Sequence, residues 1–580
     1  MIDTETSDIR ACTMPQPPCT SGAGIDNATL TAAIAATLAL TACGGGGTAA
    51  PDTTAPPSSG VTPPITILPE VLTDATVSRF LAQASMGATR GEMARVKTMG
   101  YAAWIDAQFA MAPTTTRWDW LVSKGFDAAA NKNSENGFDA CAWRKILSSP
   151  DTLRQRMTFV LAEITVAAID GLVGSGWKAF SAAAYLDLIE ANAFGNYRTL
   201  LGQLSVSAPM GQFLTYRGNV KFNPAIGTLP DENYARELMQ LFSIGLVELN
   251  RDGTPRLVNG VAQETYTLDD ITGLARIFTG WNFDLAGQTT ATPDFLRRPM
   301  IQIAANHETG ASTFLGSTVP AGLNGTDSLK RALDTIFAHP NVAPFISRQL
   351  IQKLVCSNPS PAYVARVATV FQNDGAGVAG NLQAVIKAVL LDAEARQPPT
   401  GSAAASYGKL REPILRLSAW ARAFTATSPS DAWNVGNTSD PATRLGQSPG
   451  RSPSVFNFFR PGYVPPNSAI AAAALVAPEF QLTHESSVVG YVNYMQRAVS
   501  TGIGDIKADY SSLLPLADNA AALFDEINLV LAAGQIGADN RTLLVNAIGA
   551  MPAGTDAARL NRIYAALTLV LAAPEFLILK

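Results

Sequence analysis

Residues 446–450, GQSPG, match the G-x-S-x-G pattern of a serine nucleophile. That pattern works only on a strand–turn–helix unit, where the N–H of the residue after the serine helps to form the oxyanion hole. Pro449 follows Ser448 and has no N–H. His484 is the only histidine after the serine that could act as its base. The sequence therefore predicts a turn here and no nucleophile.

A denser polar motif is PDENYARELMQLFSIGL, residues 230–246. Helical spacing places Asn233, Arg236 and Glu237 on one face, while Tyr234 and Leu238 face the core. An amide, a guanidinium and a carboxylate on one rigid face could bind a polar substrate, with Glu237 as the acid or base. The alternative is a solvated face, or a buried Arg–Glu pair that joins helices.

His307, in NHETGAS, is the second candidate for acid–base catalysis, beside Glu308 in a polar loop. Its alternative role is to fix that loop by hydrogen bonding to the backbone. Trp281, in TGWNF, could stack on a sugar ring, although packing in the core is the favoured interpretation. The predicted site is thus Glu237 and His307 for catalysis, with Asn233, Arg236 and Trp281 for substrate binding.

Composition limits the partners and cofactors of the chain. It has 580 residues, 47% hydrophobic and 15% charged, a formal net charge of -5 and only three histidines. These values are typical of a globular protein with a large core. The lack of any Lys/Arg-rich run argues against nucleic acid as a partner. No H-E-x-x-H or CxxC spacing occurs, so we expect neither a metal site nor a cofactor.

The amino-terminal segment indicates export. Residues 29–42 form an apolar run too short to span a bilayer comfortably, as in a signal peptide. The run ends in LTAC, which resembles a bacterial lipobox with Cys43 as the lipidated residue; the alternative is a buried helix. Residues 43–70, rich in Gly, Pro, Ser and Thr, predict a flexible tether. We therefore expect a signal segment at 1–42 and an extracytoplasmic, membrane-anchored protein of the cell envelope, most simply an outer-membrane lipoprotein.

From residue 71 onward the apolar spacing is mostly helical. It predicts a mainly α body over residues 71–580, with a minor β excursion near 250–320 and a hairpin around Asn259-Gly260. The linker-like stretch 396–408 is a possible boundary between two helical lobes. Cys141 and Cys356 are the only cysteines of this body, and both a disulfide and two free thiols are open.

An ordered set of motifs in the body resembles a large bacterial family, the domain of unknown function 1800. The motifs include RFLAQASMGAT, LRQRMTFVLAEI, PDENYARELMQLFSIGL, FISRQLIQKLVC, GKLREPILRL and GQSPGRSPSVFNFFRPGYVPPN. The resemblance extends over roughly residues 72 to 580. It implies an exported, mostly helical protein without an established activity. Members are often encoded beside a second exported protein of unknown function.

Three functions follow as hypotheses. The first, slightly favoured, is a lipid-anchored envelope protein that binds or scaffolds another exported protein. The second is an extracytoplasmic hydrolase that acts on a polymer through Glu237 and His307. The third is a periplasmic carrier that holds an apolar ligand between its helices. Whether the protein is an enzyme is left open by the sequence.

Overall fold

A computed structural model describes residues 72–225 and 227–580. These residues form 23 α-helices and eight short strands, which confirms the predicted mainly α fold. The predicted signal segment, the tether and Cys43 lie outside the described residues. Within the described ranges, no helix is both long and apolar enough to cross a membrane.

Ten helices precede residue 241. They are α1 (Asp74–Ala84), α2 (Arg90–Met99), α3 (Tyr101–Ala110), α4 (Arg117–Ser123), α5 (Phe138–Ser148), α6 (Thr152–Ile164), α7 (Lys178–Asn192), α8 (Tyr197–Ser205), α9 (Ala208–Phe213) and α10 (Asn233–Gln240). Local capping explains several of these ends. Thr73 begins α1 through a capping box with Thr76, and Gly100 separates α2 from α3 at a φ of 83°.

Thirteen helices follow residue 267. They are α11 (Leu268–Ala275), α12 (Gly325–Phe337), α13 (Val342–Leu354), α14 (Pro361–Gln372), α15 (Leu382–Leu390), α16 (Ala393–Arg396), α17 (Pro413–Ala423), α18 (Ala469–Ala472), α19 (Glu485–Thr501), α20 (Ala520–Ala532), α21 (Ala538–Gly549), α22 (Asp556–Ala572) and α23 (Pro574–Leu577).

The strands form four antiparallel pairs. They are β1 (Leu257–Val258) with β2 (Val261–Ala262), β3 (Trp281–Asn282) with β4 (Ile301–Gln302), β5 (Ser312–Phe314) with β6 (Ser317–Val319), and β7 (Lys409–Leu410) with β8 (Ile578–Leu579). The first three pairs confirm the predicted β excursion, and β1–β2 is the predicted hairpin around Asn259-Gly260. The fourth pair joins the start of α17 to the last residues of the chain.

The buried apolar side chains form two clusters. The first contains residues between Val77 and Tyr407. The second contains residues between Ile414 and Phe576, together with Met86 and part of α5. The predicted lobe boundary near 396–408 stays a prediction, because α5 contributes residues to both clusters. Cys141 and Cys356 are free and buried.

Candidate functional site

The three predicted site residues on α10 differ in their exposure and in their contacts. Arg236 is partly exposed and forms an ion pair of 3.3 Å with Glu232. The Asn233 amide donates to the Thr215 hydroxyl at 3.4 Å. Glu237 is buried, and its Oε2 has no hydrogen-bond partner among the described residues. Burial raises the pKa of Glu237 against the opposing charge of Arg236.

Tyr266 lies near Glu237 and has a similarly unsatisfied group. Its hydroxyl is buried without a hydrogen-bond partner among the described residues. Burial raises the pKa of Tyr266, and the negative charge of Glu237 contributes to that rise. Two polar groups on neighbouring elements, one on α10 and one just before α11, therefore lack partners.

His307 follows a 3₁₀ turn, Ala304–Asn306, and is buried. Its Nδ1 lies 3.1 Å from the Thr279 carbonyl oxygen, so the proton on Nδ1 donates to that oxygen. Burial lowers the pKa of His307, which keeps the imidazole neutral at neutral pH. Trp281 is buried in β3, and its indole N–H has no partner among the described residues. Both side chains pack inside the fold.

The structure does not join the two predicted catalytic residues. Among the described residues, no hydrogen bond or ion pair links Glu237 to His307, and the charge that acts on His307 is that of Glu308. Neither residue lines the two cavities described below. The assignment of Glu237, His307, Asn233, Arg236 and Trp281 to one site stays a prediction.

Beside α10, the β1–β2 hairpin presents apolar side chains to solvent. Leu257 is 53% exposed, Val258 46% and Val261 63%. Val258 pairs with Val261 across the ladder. The turn residues Asn259 and Gly260 have φ values of 52° and 79°, as in the type I′ turn that suits a two-residue hairpin. These three side chains, with exposed Leu246 and Leu268 at the base of the hairpin, are the hairpin surface.

A second unusual feature is a set of eight buried ionisable side chains, here called the charge centre. They are Arg156, Glu163, Lys353, Lys409, Arg411, Glu412, Arg416 and Glu479. All of them except Glu479 belong to the motifs that resemble the family. Five are cations and three are carboxyl groups. Ionised groups of this kind are almost never fully buried unless they are paired, so the centre needs a physical explanation.

Glu163 and Glu412 are two buried carboxyl groups whose pKa values move in opposite directions. Burial and the neighbouring charge of Glu412 raise the pKa of Glu163 to about 8. Burial also acts on Glu412, but the hydrogen bond from Glu163 and the nearby cations hold the pKa of Glu412 below its ordinary value. At neutral pH the pair therefore contains one acid, Glu163, and one carboxylate, Glu412. Such a pair can donate and accept a proton.

Two lysines contact carboxyl groups of the charge centre. Lys353 Nζ lies 3.1 Å from Glu163 Oε2, and its ammonium sits 5.0 Å from the ring centre of Phe459. Lys409 Nζ lies 2.9 Å from Glu479 Oε1 and donates to the Lys353 carbonyl oxygen at 2.7 Å. The lysines therefore tie three separate parts of the chain together.

The GQSPG stretch covers this centre. Pro449 and Gly450 form the predicted turn, in which the Arg451 N–H donates to the Ser448 carbonyl oxygen at 3.3 Å. The Ser448 hydroxyl accepts from the Thr438 N–H at 3.2 Å. Gln447 donates to Glu412 at 2.7 Å, and Asn457 donates to Glu163 at 2.9 Å. These residues and Glu163 line a mostly apolar cavity of about 50 Å³. The motif thus supports buried carboxyl groups.

Sequence reasoning missed the charge centre because its members are far apart along the chain. Arg156 and Glu479 are separated by more than three hundred positions. One signal was available: Glu163 and Lys353 each interrupt an otherwise apolar part of a helix, in VLAEITVAA and LIQKLVC. A charged residue within such a stretch indicates a buried partner of opposite charge.

Comparisons with known proteins identify a family but no activity. A family model described as "Protein of unknown function (DUF1800)" matches residues 79–578. No curated protein matches the chain, and no solved structure matches it. Within the described ranges, no group of three or more His, Cys, Asp or Glu side chains could hold a metal ion.

Proposed function

Because the chain belongs to the DUF1800 family of proteins of unknown function, we propose a function from its geometry alone. We infer that it is a lipid-anchored, extracytoplasmic binding protein. Its partner is a second exported protein, which docks on the hairpin surface. This function keeps the first of the three hypotheses and gives it a definite place on the molecule.

The observation behind the proposal is the exposure of the hairpin. Leu257, Val258 and Val261 expose about half or more of their area on a turn that has only two residues. Val258 and Val261 are cross-strand partners on one face of the ladder, whereas Leu257 points to the opposite face. Single exposed apolar side chains are ordinary, but neighbouring ones on one face are typical of interaction sites. A short hairpin is also preorganised, so little conformational entropy is lost when a partner covers it.

Polar groups beside the hairpin support a specific interface. Arg236 is available at the surface, while Glu237 Oε2 and the Tyr266 hydroxyl lack partners among the described residues. Both atoms are buried, so the polar group that a docked partner contacts directly is the partly exposed Arg236. An apolar centre with a few satisfied polar contacts is the usual composition of an interface.

The location of the protein follows from its amino-terminal sequence. The LTAC stretch supports lipidation of Cys43, and the tether of residues 43–70 supports a body held at a distance from the membrane. We propose the bacterial envelope, and the outer membrane within it, as the location. A partner that is itself exported would meet the body there.

The two alternatives have less support. A hydrolase that uses Glu237 and His307 needs both groups at one substrate, yet no contact among the described residues links them. A carrier needs a cavity of ligand size, roughly 300–1,000 Å³. Two cavities of that size, about 450 Å³ and about 720 Å³, are lined in part by charged side chains such as Arg444 and Asp334. The mostly apolar cavity beside the charge centre has only about 50 Å³.

The test is binding between the purified mature chain and the exported protein encoded beside it. We expect the double variant Val258→Asp, Val261→Asp to bind at least about tenfold more weakly, because two carboxylates would have to be buried in the interface. The matched control is Val488→Asp, Val489→Asp on α19, where the valines are 50% and 59% exposed. Affinity is measured by biolayer interferometry, and thermal unfolding verifies the fold of each variant.

Three results would contradict the proposal. The first is failure of the wild-type chain to bind the neighbouring protein at micromolar concentration, and the second is binding of the hairpin variant as tight as that of wild type. Equal losses in the hairpin variant and the α19 control would mean that added negative charge, and not the hairpin surface, controls binding.

A further inference from the structure

The positive charges of the charge centre outnumber its negative charges. Its five cations face three carboxyl groups, and Glu163 holds a proton at neutral pH. The excess is concentrated at Arg411. Burial lowers the pKa of Arg411 to about 10, and the charged groups of Arg416 and Arg156 contribute to that fall. Among the described residues no ion pair joins Arg411 to a carboxylate, and its buried guanidinium lies 4.9 Å from the ring centre of Phe576.

A cavity of about 30 Å³ lies at this excess of charge. Its ionisable lining consists of Arg156, Lys409 and Arg411, and no Asp or Glu contributes to its wall. Arg156 lies on α6, Lys409 on β7, and Arg411 between β7 and α17. Three separate elements thus contribute cationic residues to the wall of one small cavity, and the ammonium of Lys409 already pairs with Glu479.

The two guanidinium groups of this cavity are incompletely hydrogen bonded. Arg156 uses Nη2 to donate to the Lys353 carbonyl oxygen at 2.7 Å, but its Nη1 has no partner among the described residues. Arg411 uses Nη1 to donate to the Leu531 carbonyl oxygen at 3.1 Å, and its Nε and Nη2 have none. Buried N–H groups without acceptors are costly, and charged ones more so. A negatively charged acceptor would hydrogen bond to these N–H groups and would also balance their positive charge.

We propose that this cavity is a binding site for a small inorganic anion of the size of chloride. The anion accepts hydrogen bonds from Arg156 and Arg411 and balances the excess positive charge. By the same measure of volume, one water needs about 10–15 Å³, so the cavity admits about two water-sized groups. This space fits a monatomic anion and excludes a tetrahedral oxyanion such as sulfate.

Access to the cavity is through small side chains. Ala82, Ala88 and Ala419 line it and are partly exposed, whereas the cations behind them are buried. The cavity therefore lies close to the surface of the body. The inference concerns the interior of the body and does not depend on the proposed docking partner.

The first test is thermal unfolding of the full mature chain in sodium chloride, sodium bromide, sodium sulfate or sodium gluconate at constant sodium concentration. A ligand that binds only the folded state stabilises it by mass action. We expect the melting temperature to rise by about 2–4 °C in chloride and in bromide and then to saturate, relative to gluconate. Equal melting curves in chloride and gluconate would overturn the proposal, as would a rise in sulfate alone.

Variants localise the effect. Arg411→Met keeps most of the side-chain volume and removes the charge, so its melting temperature should not depend on halide. Arg541→Met is the matched control, because Arg541 is a partly exposed arginine that pairs with Asp525 at 2.7 Å. It should keep the halide dependence of wild type. A halide effect that persists in a folded Arg411→Met protein would overturn the assignment to this cavity.

A measurement on wild type alone guards against a variant that does not fold. Crystals grown in sodium bromide and measured at the bromine absorption edge should give an anomalous peak between Arg156 and Arg411. A cavity without such a peak contains water only, and the proposal is then wrong.

Discussion

Burial decides which single residues of this protein titrate near neutral pH, and Glu163 is the clearest case. Its pKa of about 8 in the folded protein lies above the ordinary value of 4.5. Proton binding by Glu163 therefore stabilises the fold fully below pH 4.5, and this contribution is lost as the pH rises through 8. The free energy of unfolding of wild type should fall between about pH 5 and pH 8.

Glu163→Gln should remove most of that fall, because glutamine keeps the shape and the hydrogen-bond donor but cannot ionise. One pKa unit corresponds to about 1.4 kcal/mol, so wild type and variant should diverge by a few kcal/mol at pH 8. Urea unfolding across this pH range measures the difference. Glu485→Gln, an exposed glutamate at the start of α19, is the control and should follow wild type. Parallel curves for Glu163→Gln and wild type would refute the raised pKa of Glu163.

Local sequence determines the conformation of some elements more fully than that of others. The conformation of the β1–β2 hairpin follows almost completely from its own residues. Asn259 and Gly260 supply the two positive φ values that a type I′ turn requires. Gly260→Val should strain this turn and weaken partner binding several-fold, while all apolar side chains of the hairpin surface remain. Gly322→Val is the control, since Gly322 has a φ of 84° and open space around its Cα. Interferometry should detect weaker binding in the first variant only, with similar melting temperatures for both.

Helix α6 shows what local sequence cannot determine. Its apolar spacing predicts an amphipathic helix with a solvated face. In the structure, 11 of its 13 residues are buried, so Arg156 and Glu163 lie in the interior. The partners that enclose them come from α13, α17 and the turn at 446–450, which no helical periodicity relates to α6. Helical periodicity made the type and place of most elements predictable. The charge centre was not predictable, because it depends on contacts between elements.

At the scale of the whole molecule, the charge centre is located where distant parts of the chain meet. Lys409 lies in the ladder formed with the last residues of the chain, and Lys353 lies in the last turn of α13. A buried network that links remote segments stabilises the protein only when the whole fold has formed. Removal of one partner leaves an uncompensated charge in the interior. The same long separations along the chain hid this centre from sequence reasoning, while the family motifs that contain it were visible one by one.

The last prediction concerns the attachment of this body to a membrane. Cys43→Ser removes the thiol that a lipid would modify and leaves the tether and the helical body unchanged. Wild type should partition with membranes after cell fractionation and incorporate a labelled fatty acid, because stable anchoring requires acyl chains. The variant should lose the label and run as a larger, unprocessed species on a gel. Cys356→Ser, at a buried free thiol, is the control and should keep both label and size. Label on the Cys43→Ser chain would refute the anchor and leave the hairpin surface and the anion site to be judged on their own experiments.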